Sequence, residues 1–247
     1  AIILLYLFSN LYAQQDSIRP LEEVIITANR FPQKQQNTGK VLTVIPRATL
    51  ERSSGRNLGE VLNQYAGLTI IGSNNNPGTN IDVYTRGAGL GNTLILVDGV
   101  PLYDVSSISS AFDLNFFNVE QVERIEILKG GQSTVYGSDA VAGVINIIMR
   151  KKFKKPLQFN ATAAAGSFDT YKLMTGVSGS TEKNSYSLQY QHFRSGGMSS
   201  AYDTTGKGDF DRDGFVQNTI NGQFSGKFSE KWEWRLNGQG GSYDADL

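Results

Sequence analysis

The sequence predicts an α+β domain followed by the first strands of a transmembrane antiparallel β-barrel, of about 22 strands in the whole parent. Three observations carry that prediction. Apolar periodicity changes at Pro156, from mixed helix and strand patterns to strict alternation. The alternating segments put apolar residues on one face and long polar ones (Gln, Asn, Lys, Arg) on the other, which suits a wet lumen better than a packed sandwich. Aromatics make up 11% of the chain and gather near the ends of those segments, as in the girdles of barrel walls.

Composition removes several function classes. The 247 residues carry 23 Lys+Arg against 23 Asp+Glu, a net charge of zero, whereas nucleic-acid binders carry a basic excess. With no cysteine and a single histidine, His192, disulfides, thiolate metal sites and multi-histidine zinc sites are excluded. A mean hydropathy of −0.28 argues against a helical membrane protein. No nucleophile–base pair is visible, so an envelope hydrolase is disfavoured and the chain reads as no enzyme.

The elements follow in order. Ile2–Phe8 is an apolar run too short to span a bilayer, and it gives way to Ser9–Ala13 and then polar Gln14-Gln15-Asp16. This pattern predicts a secretory signal over residues 1–13, cleaved after Ala13 and truncated at its start. The chain opens without Met and stops just past a strand pattern, so a fragment cut at both ends is expected. Residues 14–39 read as a tether outside the cytoplasm. Within it lies a β-prone segment, Glu22-Glu23-Val24-Ile25-Ile26-Thr27-Ala28, suited to adding a strand to a partner's sheet.

The α+β domain spans 40–152. Val41–Ile45 is a strand ended by Pro46. Asn57 through Glu60 is a capping box opening a helix whose apolar positions are Leu58, Val61, Leu62 and Tyr65, with Gly67 as its stop. Ile81–Arg86 and Thr93–Val97 are strands around a glycine loop, and Asp98-Gly99 is a tight turn. Val122–Leu128 and Val144–Met149 are two more strands. Arg86, Glu123, Arg124 and Glu126 are expected to form ion pairs between this domain and the surrounding wall. A basic stretch, Arg150–Pro156, leads on. From 153 to 247 come the barrel strands, around Leu157–Ala163, Tyr171–Val177, Tyr186–Tyr190, Ile220–Phe228 and Trp232–Leu236. Ser180–Asn184 and Ser229–Lys231 are short connections, Gly196–Gly214 is long, and Gly166–Phe168 is a short exception.

The segment Glu22–Ala28, the run Tyr84-Thr85-Arg86-Gly87 through Val97-Asp98-Gly99, and the stretch Val122–Gly131 continuing to Tyr136-Gly137 and Asn146 occur in this order after a signal. Together they resemble the TonB-dependent outer-membrane receptors. The resemblance implies a TonB box at 22–28, a plug domain at 40–152 and the start of the barrel from 153. It implies active uptake of a scarce, large nutrient by a monomer in the outer membrane of a Gram-negative bacterium, with the TonB box and plug facing the periplasm. TonB, energised through ExbB and ExbD, would be the partner, lipid would surround the wall, and a capping surface lipoprotein is left open. Substrate would meet the apical plug loops at Ser73, Asn74, Asn75 and Asn76, and at Ser106 and Ser107.

The acidic run Asp209-Phe210-Asp211-Arg212-Asp213-Gly214-Phe215 matches the first half of a calcium loop but lacks the closing Glu, since Ile220 stands there. Within the family this run is similar to that of the vitamin B12 (cobalamin) transporters. The likeness implies Ca²⁺ held by Asp209, Asp211 and Asp213, with Asp244 and Asp203 as further ligands. It makes a corrinoid the expected cargo, with an iron siderophore as the alternative. A barrel adhesin or colicin-type receptor without transport is the reading from another class.

Overall fold

The computed structural model describes residues 25–26, 33–34, 41–53, 55–105, 110, 112–151, 153, 155–199, 206, 212–229 and 232–246. The signal expected over residues 1–13 lies outside them.

In chain order the elements are β1 (Ile25–Ile26), β2 (Gln33–Lys34), β3 (Val41–Ile45), α1 (Arg47–Arg52), α2 (Leu58–Leu62), β4 (Leu68–Ile71), β5 (Asp82–Thr85), β6 (Thr93–Val97), β7 (Val100–Pro101), β8 (Val122–Lys129), α3 (Ser133–Tyr136) and β9 (Gly143–Met149). The wall strands follow: β10 (Gln158–Gly166), β11 (Thr170–Ser180), β12 (Asn184–Ser195), β13 (Phe215–Ser229) and β14 (Trp232–Ala245).

The first domain is built on a mixed sheet in the order β3-β8-β9-β6-β7. β6 runs parallel to β9, and the other pairs are antiparallel. The central strand β9 is a nearly continuous apolar run because both faces of the sheet are covered, whereas β8 interleaves its apolar residues with Glu123, Arg124, Glu126 and Lys129. Ile125, Ile127, Ile145 and Ile147 pack under Leu50 of α1 and Leu58 and Leu62 of α2. On the other face Leu94, Leu96, Leu128 and Val144 pack with Ala140. The Asn57–Glu60 capping box forms as the sequence predicts, with Glu60 N–H donating to Asn57 Oδ1 at 2.7 Å. The helix nevertheless closes at Leu62, well before Gly67, because the chain must turn there to enter β4. Helix α1 follows Pro46 directly, and the Arg47 guanidinium ties it to the carbonyls of Val119, Glu120 and Val122.

The wall is one antiparallel sheet in sequence order, β10 to β14. Its registers place Ser187, Gln189, Gln191, Gln217, Thr219, Asn221 and Ser225 on one face, where all are buried. The opposite face carries Phe159, Tyr171, Leu173, Leu188, Tyr190, Ile220, Phe224, Trp234 and Leu236, all exposed. A soluble sandwich would bury the second set and expose the first. Polar-in and apolar-out is the arrangement of a barrel wall around a filled lumen.

Candidate functional site

Three regions of this architecture bear on function: the paired strand at the N-terminal end, and two places where the first domain meets the wall.

The first meeting point lies near the short-turn end of the wall. Asp98 and Gly99 form the two-residue connection between β6 and β7, and both have positive φ, 50° and 84°. Asp tolerates that conformation better than most side chains. Two contacts to β9 hold the turn: Asp98 N–H donates to the Ile147 carbonyl at 2.9 Å, and Gly99 N–H donates to Asn146 Oδ1 at 3.0 Å. The Asp98 carboxylate is thereby fixed in a buried position, 2% exposed, 3.1 Å from Arg235 Nη1 on β14 and 3.5 Å from Lys151 Nζ. Met149 N–H also donates to it, at 3.3 Å. This ion pair corrects the sequence expectation. Arg124 pairs with Glu126 two residues along its own strand, and Arg150 lies 3.9 Å from Glu123, all within the first domain. Alternation along β8 puts residues 124 and 126 on the same face, so they reach each other before any wall residue.

The second meeting point is at the end of the long 196–214 connection. Asn76 accepts a hydrogen bond from Met198 N–H at 3.0 Å and donates through Nδ2 to Asp213 Oδ2 at 3.1 Å. Gly78, with φ of 94°, leaves room for the ring of Phe215; a Cβ there would stand 2.5 Å from Phe215 Cδ2. Phe215 also packs against Phe193 and Tyr243, at 6.0 and 6.2 Å between ring centroids. The 72–79 loop is therefore clasped to the wall.

The residues expected to meet substrate divide accordingly. Asn74 and Asn75 are exposed. Ser73 is buried, with its hydroxyl donating to the Ile70 carbonyl, and Asn76 is engaged in the clasp. Ser106 and Ser107 lie outside the described residues, as do Asp203, Asp209 and Asp211 of the expected calcium set. Asp213 accepts from Asn76, while Asp244 pairs in register with Val216, on the face of β14 opposite Tyr243. Among the described residues no three His, Asp or Glu side chains are grouped so as to hold a metal ion. Of the segment 22–28, Ile25 and Ile26 are described, and they pair antiparallel with Lys34 and Gln33; Glu22, Glu23, Val24, Thr27 and Ala28 lie outside. His192 places Nδ1 2.9 Å from Asn218 Oδ1 within the wall. Sequence reasoning missed Arg235 and Lys151 as partners of Asp98. It also missed the Asn76–Met198 clasp, whose members are far apart in the chain.

Titration behaviour adds two points. Desolvation, then the neighbouring Asp139 carboxylate, pushes the Tyr103 hydroxyl above its ordinary range. Burial likewise raises Asp113, against the opposing hydrogen bonds from Asn115 and from Ile81 N–H.

Residues 34–144 match the family described as TonB-dependent Receptor Plug Domain. Over those residues the chain is similar to a TonB-dependent receptor plug domain. Solved structures extend the likeness into the wall. The pyoverdine outer membrane receptor FpvA from Pseudomonas aeruginosa, bound to pyoverdine, is similar at a TM-score of 0.70 and 18% identity, over 90% of this chain and 30% of that one. The siderophore receptor PirA from Acinetobacter baumannii is similar at 0.63 and 23% identity, over 83% and 32%. The ferric enterobactin receptor PfeA from Pseudomonas aeruginosa, in complex with enterobactin, is similar at 0.59 and 21% identity, over 84% and 34%. The chain spans about a third of the length of these structures. The plug followed by antiparallel wall strands is therefore the start of a TonB-dependent receptor fold. Among the described residues no helix is long and apolar enough to cross a membrane.

Proposed function

We propose that this chain is the plug and first wall strands of an outer-membrane transporter that imports a ferric siderophore with energy delivered by TonB. The observation that carries the reading is the wall's inverted polarity: amides and hydroxyls face the plug, and aromatic and aliphatic side chains face outward. Such a wall is stable in lipid and encloses a wet lumen filled by the plug. The cargo assignment is supported by the likeness to the pyoverdine, PirA and enterobactin receptors, which favours the siderophore over the corrinoid that the acidic loop suggested.

The mechanism requires no covalent step. Substrate binds from outside on the loops around Asn74 and Asn75, beside the clasp that ties Asn76 to Met198 and Asp213. On the periplasmic side, the pairing of Ile25–Ile26 with Gln33–Lys34 keeps the box in extended backbone. TonB captures it by strand addition, replacing one antiparallel partner with another. ExbB and ExbD relay the proton-motive force, and the pull is transmitted through the tether to the plug.

The test is uptake of iron-55 as ferric enterobactin and ferric pyoverdine by cells whose only receptor is the whole gene product. Deleting Glu22–Ala28, or substituting Ile25→Pro, is expected to leave surface binding intact and lower uptake more than tenfold, because Pro lacks the N–H that the strand pairing requires. Binding without uptake by the unaltered protein would favour an adhesin, and undiminished uptake in the variants would mean entry that does not use TonB. Uptake of cyanocobalamin that is lost in EGTA would restore the corrinoid reading and its calcium loop.

A further inference from the structure

The chain joining plug to wall is strapped to the turns at the short-turn end of the wall. Phe153 N–H donates to Ser180 Oγ at 2.9 Å, Ser180 N–H to the Lys155 carbonyl at 3.0 Å, and the Tyr186 hydroxyl to the Pro156 carbonyl at 3.0 Å. The start of the next turn joins on through Lys227 N–H, which donates to the Lys183 carbonyl at 2.9 Å. These bonds gather Lys155, Lys183 and Lys227, from three separate stretches of sequence, at one rim. All three are exposed, and none has an ion-pair partner among the described residues. The nearby carboxylates are engaged elsewhere: Asp98 faces Arg235 and Lys151, and Glu233 lies 3.7 Å from Arg235. Among the described residues of these turns, exposed Glu182 is the carboxylate left against the three ammonium groups. The far end of the wall has the opposite balance. Its exposed charges, among the described residues, are Asp169, Asp244 and Asp246 against Arg194 and Arg212.

Beside the lysines the outward face of the wall is aromatic. Phe159, Phe228 and Trp232 are exposed, and Phe228 packs on Trp234 at 6.3 Å between ring centroids. An aromatic belt on a barrel wall sits at the headgroup level of a bilayer. Lysines there extend flexible stems that place their ammonium groups among headgroup phosphates. Resting on the reading of this wall as lipid-facing, we infer that the Lys155–Lys183–Lys227 rim binds the phosphate of an anionic phospholipid in the periplasmic leaflet. The unpaired cations select the negative headgroup, and the adjoining rings receive its glycerol and acyl chains. That continuity of charge and apolar belt selects a lipid over a free anion. The bound lipid holds the wall at the place where the chain passes from plug to barrel.

The experiment reconstitutes the whole receptor in phosphatidylcholine bilayers containing dibrominated phosphatidylglycerol or, separately, dibrominated phosphatidylcholine. Bromine quenches tryptophan on contact, and the part of the quenching that Trp232→Phe with Trp234→Phe removes reports this rim. The unaltered receptor is expected to prefer phosphatidylglycerol by about tenfold, on the order of what a few lysines near a membrane surface supply. The preference is expected to shrink at high salt and to vanish in the combined variant Lys155→Gln, Lys183→Gln and Lys227→Gln. Heat-modifiable gel migration checks that each barrel is folded; if the combined variant is not, the three single variants, each losing part of the preference, decide. Equal association of the two lipids with the unaltered receptor would overturn the site, as would an undiminished preference in the folded variants. Displacement of phosphatidylglycerol by inorganic phosphate would make the rim a simple anion site and overturn the lipid assignment. If neither brominated lipid quenches a folded receptor, the lipid-facing reading of the wall falls and the rim with it.

Discussion

Arg235 of the wall reaches Asp98 of the plug at 3.1 Å, and 137 residues separate them in the chain. The carboxylate is fully buried, and it also faces Lys151 on the segment joining plug to wall. One anion thus holds together the plug, the connecting chain and a wall strand, near the short-turn end of the wall.

Neutralising that carboxylate takes the shared partner from Lys151 and leaves Arg235 with Glu233, 3.7 Å away. Asp98→Asn keeps the positive φ that the turn needs, so its effect reports the charge and not the backbone. Breaking a fully buried pair costs about 3–5 kcal/mol. Because Arg235 is 26% exposed, solvent screens part of that, and we expect about 1–3 kcal/mol. Urea unfolding of the plug in the intact receptor, run as a double-mutant cycle with Arg235→Gln, measures it. A coupling below about 0.5 kcal/mol would show that the pair does not latch the plug.

Gly78 serves the opposite end of the plug. Its φ of 94° and the ring of Phe215 leave no room for a side chain. Gly78→Ala is expected to destabilise the plug–wall contact by about 1–3 kcal/mol through strain and overpacking. Phe215→Ala in the same background removes the clash, so the combined variant should be more stable than the two separate losses predict. Simple additivity would place the cost in the backbone alone.

The outward face of the wall distinguishes lipid from water. Leu188 is exposed near the middle of β12. On a lipid-facing surface, Leu188→Arg costs about 2–4 kcal/mol at mid-membrane, whereas on a soluble surface it falls within about 0.5 kcal/mol. Yield of heat-modifiable barrel in outer-membrane fractions should drop sharply for Leu188→Arg. A full yield would be incompatible with a membrane wall.

Asp113 gives a pH signature. Its pKa is raised in the folded plug, chiefly by burial, so the folded state holds the proton more tightly than the unfolded chain does. The resulting stabilisation is fully present below the unfolded carboxyl value of about 3.9. It is lost as pH rises through the raised folded value. Asp113→Asn removes this dependence. Denaturation midpoints of the two proteins, followed from pH 3 to 7, should shift in favour of Asn as pH rises; a difference independent of pH would assign Asp113 a capping role only.

Local chemistry made much of the fold legible. The β-branched runs of β3, β6, β8 and β9, the Asn57–Glu60 box and the Asp98-Gly99 turn each act within a few residues, so their pattern survives in one dimension. The wall strands were readable as alternation but too short. β13 begins at Phe215 and β14 runs to Ala245, through Gly222, Gly226, Gly238, Gly240 and Gly241, which carry no polarity signal. Ladder hydrogen bonds continue across glycine, and periodicity does not register them.

The sequence by itself determined a mixed-sheet domain followed by strands with one apolar and one polar face, because side-chain alternation and capping are properties of neighbouring residues. Only the tertiary structure decided that Ser73 turns inward while Asn76 clasps the wall, and that Arg124 serves Glu126 while Arg235 serves Asp98. Those outcomes depend on which strands the topology brings together across more than a hundred residues, and an ion pair or clasp at that separation leaves no spacing for a sequence to display.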